Sequence, residues 1–216
     1  MDAVLDNLDL YVGGLLTTLR LCLWSGVIAL VVGTVMASFR VSPVPALRGV
    51  GTAWVTTLRN TPLTVILFFI AFGLPEIGVR GSYSGFAIAG LSLYTSAFVC
   101  EALRSGINAV STGQVEAARS IGLTFSQGLR HVILPQAFRT SIPPLVSVGI
   151  AMIKNSAVAG FFGVAGDLSA DGQSLTSAQG YPALPVLAGV VIFFWFLTVP
   201  AGLLLAAVER RAAVIR

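Results

Sequence analysis

From Ala183 to Val208 the chain runs without a charged side chain. A segment this long and apolar has few ways to fold. In hydrocarbon each backbone N–H and C=O needs a partner within its own segment, and a helix supplies them all. About 20 apolar residues at ~1.5 Å each cross a bilayer core. Windows of this kind recur at about 11–39, 51–74, 84–103, 137–164 and 183–208. The composition agrees: 56% of residues are hydrophobic and 10% charged, whereas a soluble domain carries roughly 25% charged residues. The expectation is an all-α membrane protein of five transmembrane helices, forming one domain over residues 1–216.

Charge between the windows alternates. One set of connections and the C-terminus hold Arg40, Arg48, Arg104, Arg119, Arg130, Arg139, Arg210, Arg211 and Arg216, while the other set holds only Arg80. Basic residues concentrate on the cytoplasmic side. The N-terminus is therefore expected outside, the C-terminus inside, and residues 104–136 in the cytoplasm. The acidic start, with Asp2, Asp6 and Asp9, lacks the basic n-region of a cleaved signal, so the first window is expected to stay as a helix. The basic residues lie singly between apolar spans, not in a stripe, which argues against nucleic acid as a partner. Cys22 and Cys100 have no metal or redox spacing and read as packing residues. His131, the single histidine, reads as interfacial.

Ser25, Ala29, Gly33 and Ala37 recur every fourth residue in the first window, a spacing that lets helix backbones approach closely. Pro143 and Pro144 predict a break or kink in the fourth window, either as part of a substrate pathway or as tolerated structure. Residues 104–136 are too long for a plain connection and too patterned for disorder. Val115 and Ala118 share a helical face with Gly122, and Phe125, Leu129 and Val132 resume the apolar period. The pattern predicts a short helix, a glycine turn, and a second amphipathic segment ending at Pro135. Such a helix could enter a partner's groove or lie on the bilayer.

The spacing within this loop is specific. Glu116-Ala117-Ala118, three residues, Gly122, nine residues, then Val132-Ile133-Leu134-Pro135 meets each defined position of EAA-x3-G-x9-[IV]-x-LP. It resembles the EAA loop of permease subunits of binding-protein-dependent ABC importers. "LRNTPLTVILFFIAFGLP", "YTSAFVCEALRSGINAVSTGQ" and "KNSAVAGFFGV" are similar to segments of the polar amino-acid (histidine/glutamine/glutamate) branch. "RVSPVPALR" and "RNTPLT" most resemble glutamate-uptake permeases of actinobacteria. The likeness covers roughly residues 13–208; Asn60 departs from it, standing where many members have glycine. The resemblance implies a permease bundle in a bacterial cell membrane, with the EAA segment as a cytoplasmic coupling helix. Glu116, Ala117, Ala118, Gly122, Leu134 and Pro135 would couple it to an ATPase. It also implies two ATP-binding subunits, a second permease chain, related or identical, and an extracellular substrate-binding protein.

The chain offers no phosphate loop of its own. Its only lysine, Lys154, stands between Ile153 and Asn155, whereas that loop needs G-x-x-x-x-G-K-[ST]. No Ser/His/Asp set or metal cluster is evident either. The expectation is a transporter subunit, not an enzyme, with ATP and Mg bound by the partner ATPase and no cofactor in this chain. A secondary transporter or channel subunit is the alternative. Ion coupling usually needs acids or histidine within the membrane, and secondary transporters usually show internal repeats. Neither is evident, Glu101 lying near an interface.

Three cations fall inside the windows: Arg20, Arg59 and Lys154. Each costs roughly 2.5–3.5 kcal/mol at a helix centre. Arg20 and Arg59 could snorkel, pair with a partner chain or meet substrate. Lys154 is followed by Asn155 and Ser156, so three polar residues at membrane depth need partners. These residues form the candidate pathway, and their charge favours a substrate with excess carboxylate, glutamate or aspartate before glutamine.

Overall fold

The computed structural model describes residues 2–162, 164 and 166–213. Among these residues each regular element is a helix. After a short turn at Asp2–Leu5 come α1 (Leu8–Val41), α2 (Pro45–Asn60), α3 (Leu63–Glu76) and α4 (Tyr83–Asn108). They are followed by α5 (Thr112–Ser120), α6 (Phe125–Gly160), α7 (Leu168–Ser177) and α8 (Ala183–Ala213). Among the described residues, four helices (α1, α4, α6 and α8) are long and apolar enough to cross a membrane, and α2 and α3 pass the same test only together, as a bent pair. Of the basic C-terminal residues, Arg216 lies outside the described residues.

The spaced small residues of α1 do what their size allows. Ser25, Ala29, Gly33 and Ala37 are all buried. A Cβ placed on Gly33 would lie 2.6 Å from Val99 and 2.8 Å from the Ser96 carbonyl oxygen, so α1 and α4 meet backbone to backbone here. One core cluster gathers Leu21, Leu63, Leu67, Leu91, Ala159 and Val164; a second gathers Ala37, Val55 and Cys100. A third cluster packs Tyr11 against Leu168, Leu175, Val186 and Phe193. There the Tyr11 hydroxyl donates to the Val186 carbonyl at 3.1 Å. Trp24, Val31, Trp195, Phe196 and Leu203 stay exposed on α1 and α8, as side chains facing lipid would.

The second window, expected as one span over 51–74, is instead two helices bent by 100° across Thr61-Pro62. Pro62 has no N–H to continue the ladder, and its ring keeps the preceding residue out of the helical region. Thr61 is extended at φ −100° and ψ 126°. Its hydroxyl donates to the Thr57 carbonyl at 2.8 Å, giving a partner to one of the carbonyls that the break strands.

The prolines of α6 behave differently. No break occurs at Pro143 or Pro144; the helix continues from Leu134 to Gly160. Nor does the amphipathic segment end at Pro135, which lies inside the continuous helix Phe125–Gly160. A π turn at Leu129–Ile133 accommodates it, with Leu134 N–H donating to the Leu129 carbonyl five residues back. Widening the turn moves aside the His131 carbonyl that the ring would otherwise strike. The loop between spans is therefore shorter than 104–136: α4 runs to Asn108 and α6 starts at Phe125.

Candidate functional site

The segment between α4 and α6 is a compact helical hairpin, and its geometry explains the motif. Gly122 has φ +83°, a conformation that L side chains rarely adopt. Gly122 N–H donates to Arg119 O at 3.0 Å and Leu123 N–H to Ala118 O at 3.1 Å. These two bonds form a Schellman cap with Gly122 just past the helix end. The A-x3-G spacing is thus the spacing from the carbonyl the cap satisfies to the glycine that makes the cap possible. Ala118 is 5% exposed, and it packs over Gly128, where a Cβ would sit 3.8 Å from the Ala118 methyl. A larger side chain at Ala118 would push the two arms apart.

The return arm starts with a capping box. Thr124 accepts from Gln127 N–H at 3.4 Å, and the Gln127 side chain accepts from Thr124 N–H at 2.9 Å. Cap and box together fix the hairpin tip. Glu116 and Ala117 are exposed on α5, and Leu134 and Pro135 are exposed on α6 beyond the π turn. Of the six coupling candidates, Ala118 and Gly122 shape the hairpin, while Glu116 and Ala117 present its outer face. Sequence reasoning missed the apolar character of the tip. Ile121 is 77% exposed and Phe125 73% exposed, on either side of Gly122. The available signal was two large apolar residues flanking a cap glycine, where a free surface favours polar ones.

Between this hairpin and the bundle lies a cavity of about 370 Å³, walled by Leu129, Ile133 and Leu134 on one side and by Thr34, Ser38 and Val41 of α1 on the other.

Higher in the bundle the structure divides the intramembrane candidates. Asn155 lines a recess of about 270 Å³ between α4 and α6, with Tyr94, Thr95, Phe98 and Met152. The Arg59 guanidinium lies over the Phe98 ring at 5.5 Å, a cation–π contact that places Arg59 beside the same recess. Lys154 points the other way. It lines a separate cavity of about 530 Å³ among α6, α7 and α8, with Ser169, Gln173, Thr176, Phe194 and Trp195. Arg20 is exposed on α1 and lines neither cavity. Cys22 and Cys100 are buried free thiols, consistent with packing roles.

Two acids read as peripheral in sequence are structural. Glu101 pairs with Arg40 of α1 and with Arg104 of its own helix. Asp167 is 1% exposed. It caps α7 by accepting from Ala170 N–H at 2.6 Å, and burial pushes its carboxyl up to about 6.

A helical bundle with a capped, motif-bearing hairpin between two of its long helices is the arrangement expected of an importer permease. The comparisons agree. Residues 29–214 match the family described as "Binding-protein-dependent transport system inner membrane component", and the chain belongs to that family. It is 41% identical over 209 residues to the "Glutamate transport system permease protein GluC" of Corynebacterium efficiens, covering 91% of each chain. To the "Probable glutamine ABC transporter permease protein GlnM" of Bacillus subtilis it is 38% identical over 212 residues, covering 98% of this chain and 97% of the other. Among solved structures it is similar to "Crystal structure of an amino acid ABC transporter with histidines", at TM-score 0.90 and 31% identity over 96% of both chains. Similarity to "Inward facing conformations of the MetNI methionine ABC transporter: CY5 native crystal form" follows at TM-score 0.74 and 25% identity, over 97% of both. Family membership sets aside the secondary-transporter alternative.

Proposed function

We propose that this chain is the pore-forming permease of an importer for a polar amino acid, glutamate first, with aspartate and glutamine next in fit. In this reading the N-terminus is outside and the hairpin faces the cytoplasm. An extracellular binding protein delivers the substrate, a second permease chain completes the pore, and two ATPase subunits bind below. The ATPases hold ATP and Mg and hydrolyse the nucleotide.

The observation that carries the reading is the continuity of α6. It starts at the capping box of the hairpin and extends as one helix of 36 residues to Gly160, roughly 54 Å at the ordinary rise. Asn155 and the recess lie near its far end. A push on α5 at Glu116 and Ala117 then reaches the recess through the packed hairpin and one continuous helix. Ile121 and Phe125 supply apolar surface for the ATPase joint. Arg59 and Asn155 hold the substrate at the recess, the guanidinium facing a carboxylate and the amide supplying neutral hydrogen bonds. Lys154 adds a cation on the neighbouring side of the pathway, and Arg20 faces lipid or a partner chain. Substrate moves when the two access states exchange, and the exchange requires ligands that bind those states unequally.

Gly122→Val tests the joint, because a β-branched residue at φ +83° breaks the cap. The expected outcome is normal membrane insertion with uptake lost. Normal uptake and ATPase copurification would reject the hairpin's role. A cysteine replacing Ser126 should be labelled only from the cytoplasm and one replacing Ser174 only from outside; the reverse pattern would invert the chain.

A further inference from the structure

The inner ends of α1, α2 and α4 meet at a cluster that the coupling hairpin does not itself contain. Glu101 stands between two guanidinium groups, those of Arg40 on α1 and Arg104 on α4. The side chains are 18% exposed for Arg40, 21% for Glu101 and 34% for Arg104, so each is largely withdrawn from water. The Arg40 stem also covers Gly51 of α2, where a Cβ would lie 2.7 Å from Arg40 Cγ. One arginine therefore joins three helices.

The two legs of the cluster differ in kind. Arg104 to Glu101, at 2.9 Å, spans three residues of a single helix and survives any movement of α4 as a body. Arg40 to Glu101 crosses from α1 to α4 and survives only while those inner ends stay together. If the crossing leg opens, Glu101 keeps Arg104 as counter-ion. Opening therefore avoids stranding a lone buried carboxylate and leaves Arg40, one residue from the end of α1, as the group that must regain water. An ion pair with a standby partner is suited to being broken and remade.

The drive reaches it through α6. A Cβ at Gly106 would lie 2.6 Å from the Ala137 carbonyl oxygen, so the inner end of α4 is seated directly on the root of α6. That root continues into the hairpin without interruption. A displacement of the hairpin is thus delivered to α4 at Gly106, five residues beyond Glu101.

We propose that Arg40 and Glu101 form a latch across the inner end of the bundle, opened and closed once per transport cycle, with Arg104 as the standby cation. Both are positioning residues: they act on the access states and do not touch the substrate. The inference rests on the permease reading given above.

The test uses the complete transporter, this chain with its ATPase and binding-protein partners, in proteoliposomes. Glu101→Gln leaves two withdrawn cations facing each other and is a folding lesion, so Arg40→Gln is the informative variant, since Arg104 still neutralises Glu101. The expected result is wild-type assembly, substrate-independent ATP hydrolysis above wild type, and roughly a tenfold fall in substrate moved per ATP hydrolysed. Arg40→Lys should recover part of that ratio. Arg40→Gln combined with Glu101→Gln should couple no worse than Arg40→Gln alone. An unchanged ratio in Arg40→Gln, loss of assembly in it, or independent losses that add in the double variant would each overturn the latch. Absence of ATP-driven uptake by the unaltered assembly would instead remove the permease reading itself.

Discussion

Two Leu-Pro pairs in this chain sit behind the same local device and lead to different ends. In α3 a π turn covers Phe69–Gly73, and Leu74 N–H reaches back to the Phe69 carbonyl. In α6 a π turn covers Leu129–Ile133, and Leu134 N–H reaches back to the Leu129 carbonyl. Pro75 and Pro135 follow directly in helical backbone, Leu74 at φ −65° and ψ −40° and Leu134 at φ −60° and ψ −42°. After Pro75 the helix stops at Glu76 and the chain turns at Gly78, whose φ is +87°. After Pro135 it continues to Gly160. The same widened turn is a terminus in one place and a link within one long helix in the other. What differs is the sequence beyond: Gly78 stops the first, and no left-handed glycine interrupts the second before Gly160.

Alanine in place of each proline is the strongest way to break this comparison. Restoring an N–H at 135 lets the wide turn close to ordinary α geometry. That removes one residue of winding, about 100° of rotation, and swings the hairpin around α6. Pro135→Ala is expected to cut uptake by roughly tenfold or more. Pro75→Ala makes the same local change, but only the outer turn follows it, so uptake should stay within about twofold. Uptake measured at matched membrane levels decides. Equal losses in both would mean that the two turns are equivalent and that α6 is no lever.

The prolines also explain what was legible in the sequence. The hairpin could be read because Ala118 and Gly122 stand at the separation a Schellman cap imposes, so spacing alone encodes geometry. The 100° break at Pro62 could not. The apolar window runs straight across it, and hydropathy carries no direction. Pro62, Pro75, Pro135, Pro143, Pro144 and Pro200 are one residue type, yet only Pro62 lies at the sharp bend between paired spans. What distinguishes Pro62 is the extended Thr61 before it, with a hydroxyl placed to cap Thr57. Four of the five windows fall on single long helices, because each needs only its own composition. The Arg40–Glu101 pair was not, because it needs the register of α1 on α4. Lys154 and Asn155 looked like one polar patch, but adjacent residues on a helix point about 100° apart and reach different cavities.

That separation gives a second, smaller test of where the lever delivers its motion. Asn155→Ala removes the amide proposed to bond the substrate at the recess and should raise the KM for uptake roughly five- to tenfold. Lys154→Met keeps helix propensity and removes the cation. It should weaken uptake with a smaller change in KM. A large KM effect at Lys154 and none at Asn155 would move the substrate to the cavity beside α7 and α8.

The C-terminal ends of α3 and α6 supply the smallest and most local test. α3 ends at the exposed Glu76, whereas α6 ends at Gly160 against Asp167, whose carboxylate a Cβ at 160 would strike. Asp167 caps α7 from a site that also holds the Thr18 hydroxyl, which accepts from Leu168 N–H at 3.3 Å. Burial holds its carboxyl at about 6, with nearby Asp171 adding to the shift, against an ordinary 3.8. The folded state therefore binds more protons than the unfolded chain between those values. This contribution is fully present below about pH 4, falls as pH rises through 6, and is gone above it. The shift corresponds to about 3 kcal/mol at most. Asp167→Asn keeps a good cap and removes the charge. In detergent, the melting temperature of the wild-type protein should fall between pH 4 and 6.5 relative to Asp167→Asn, with the variant at least as stable at pH 7. Parallel pH profiles for the two proteins would mean that the carboxyl is ionised when folded at no cost, and that the outer anchor of α6 does not depend on its proton.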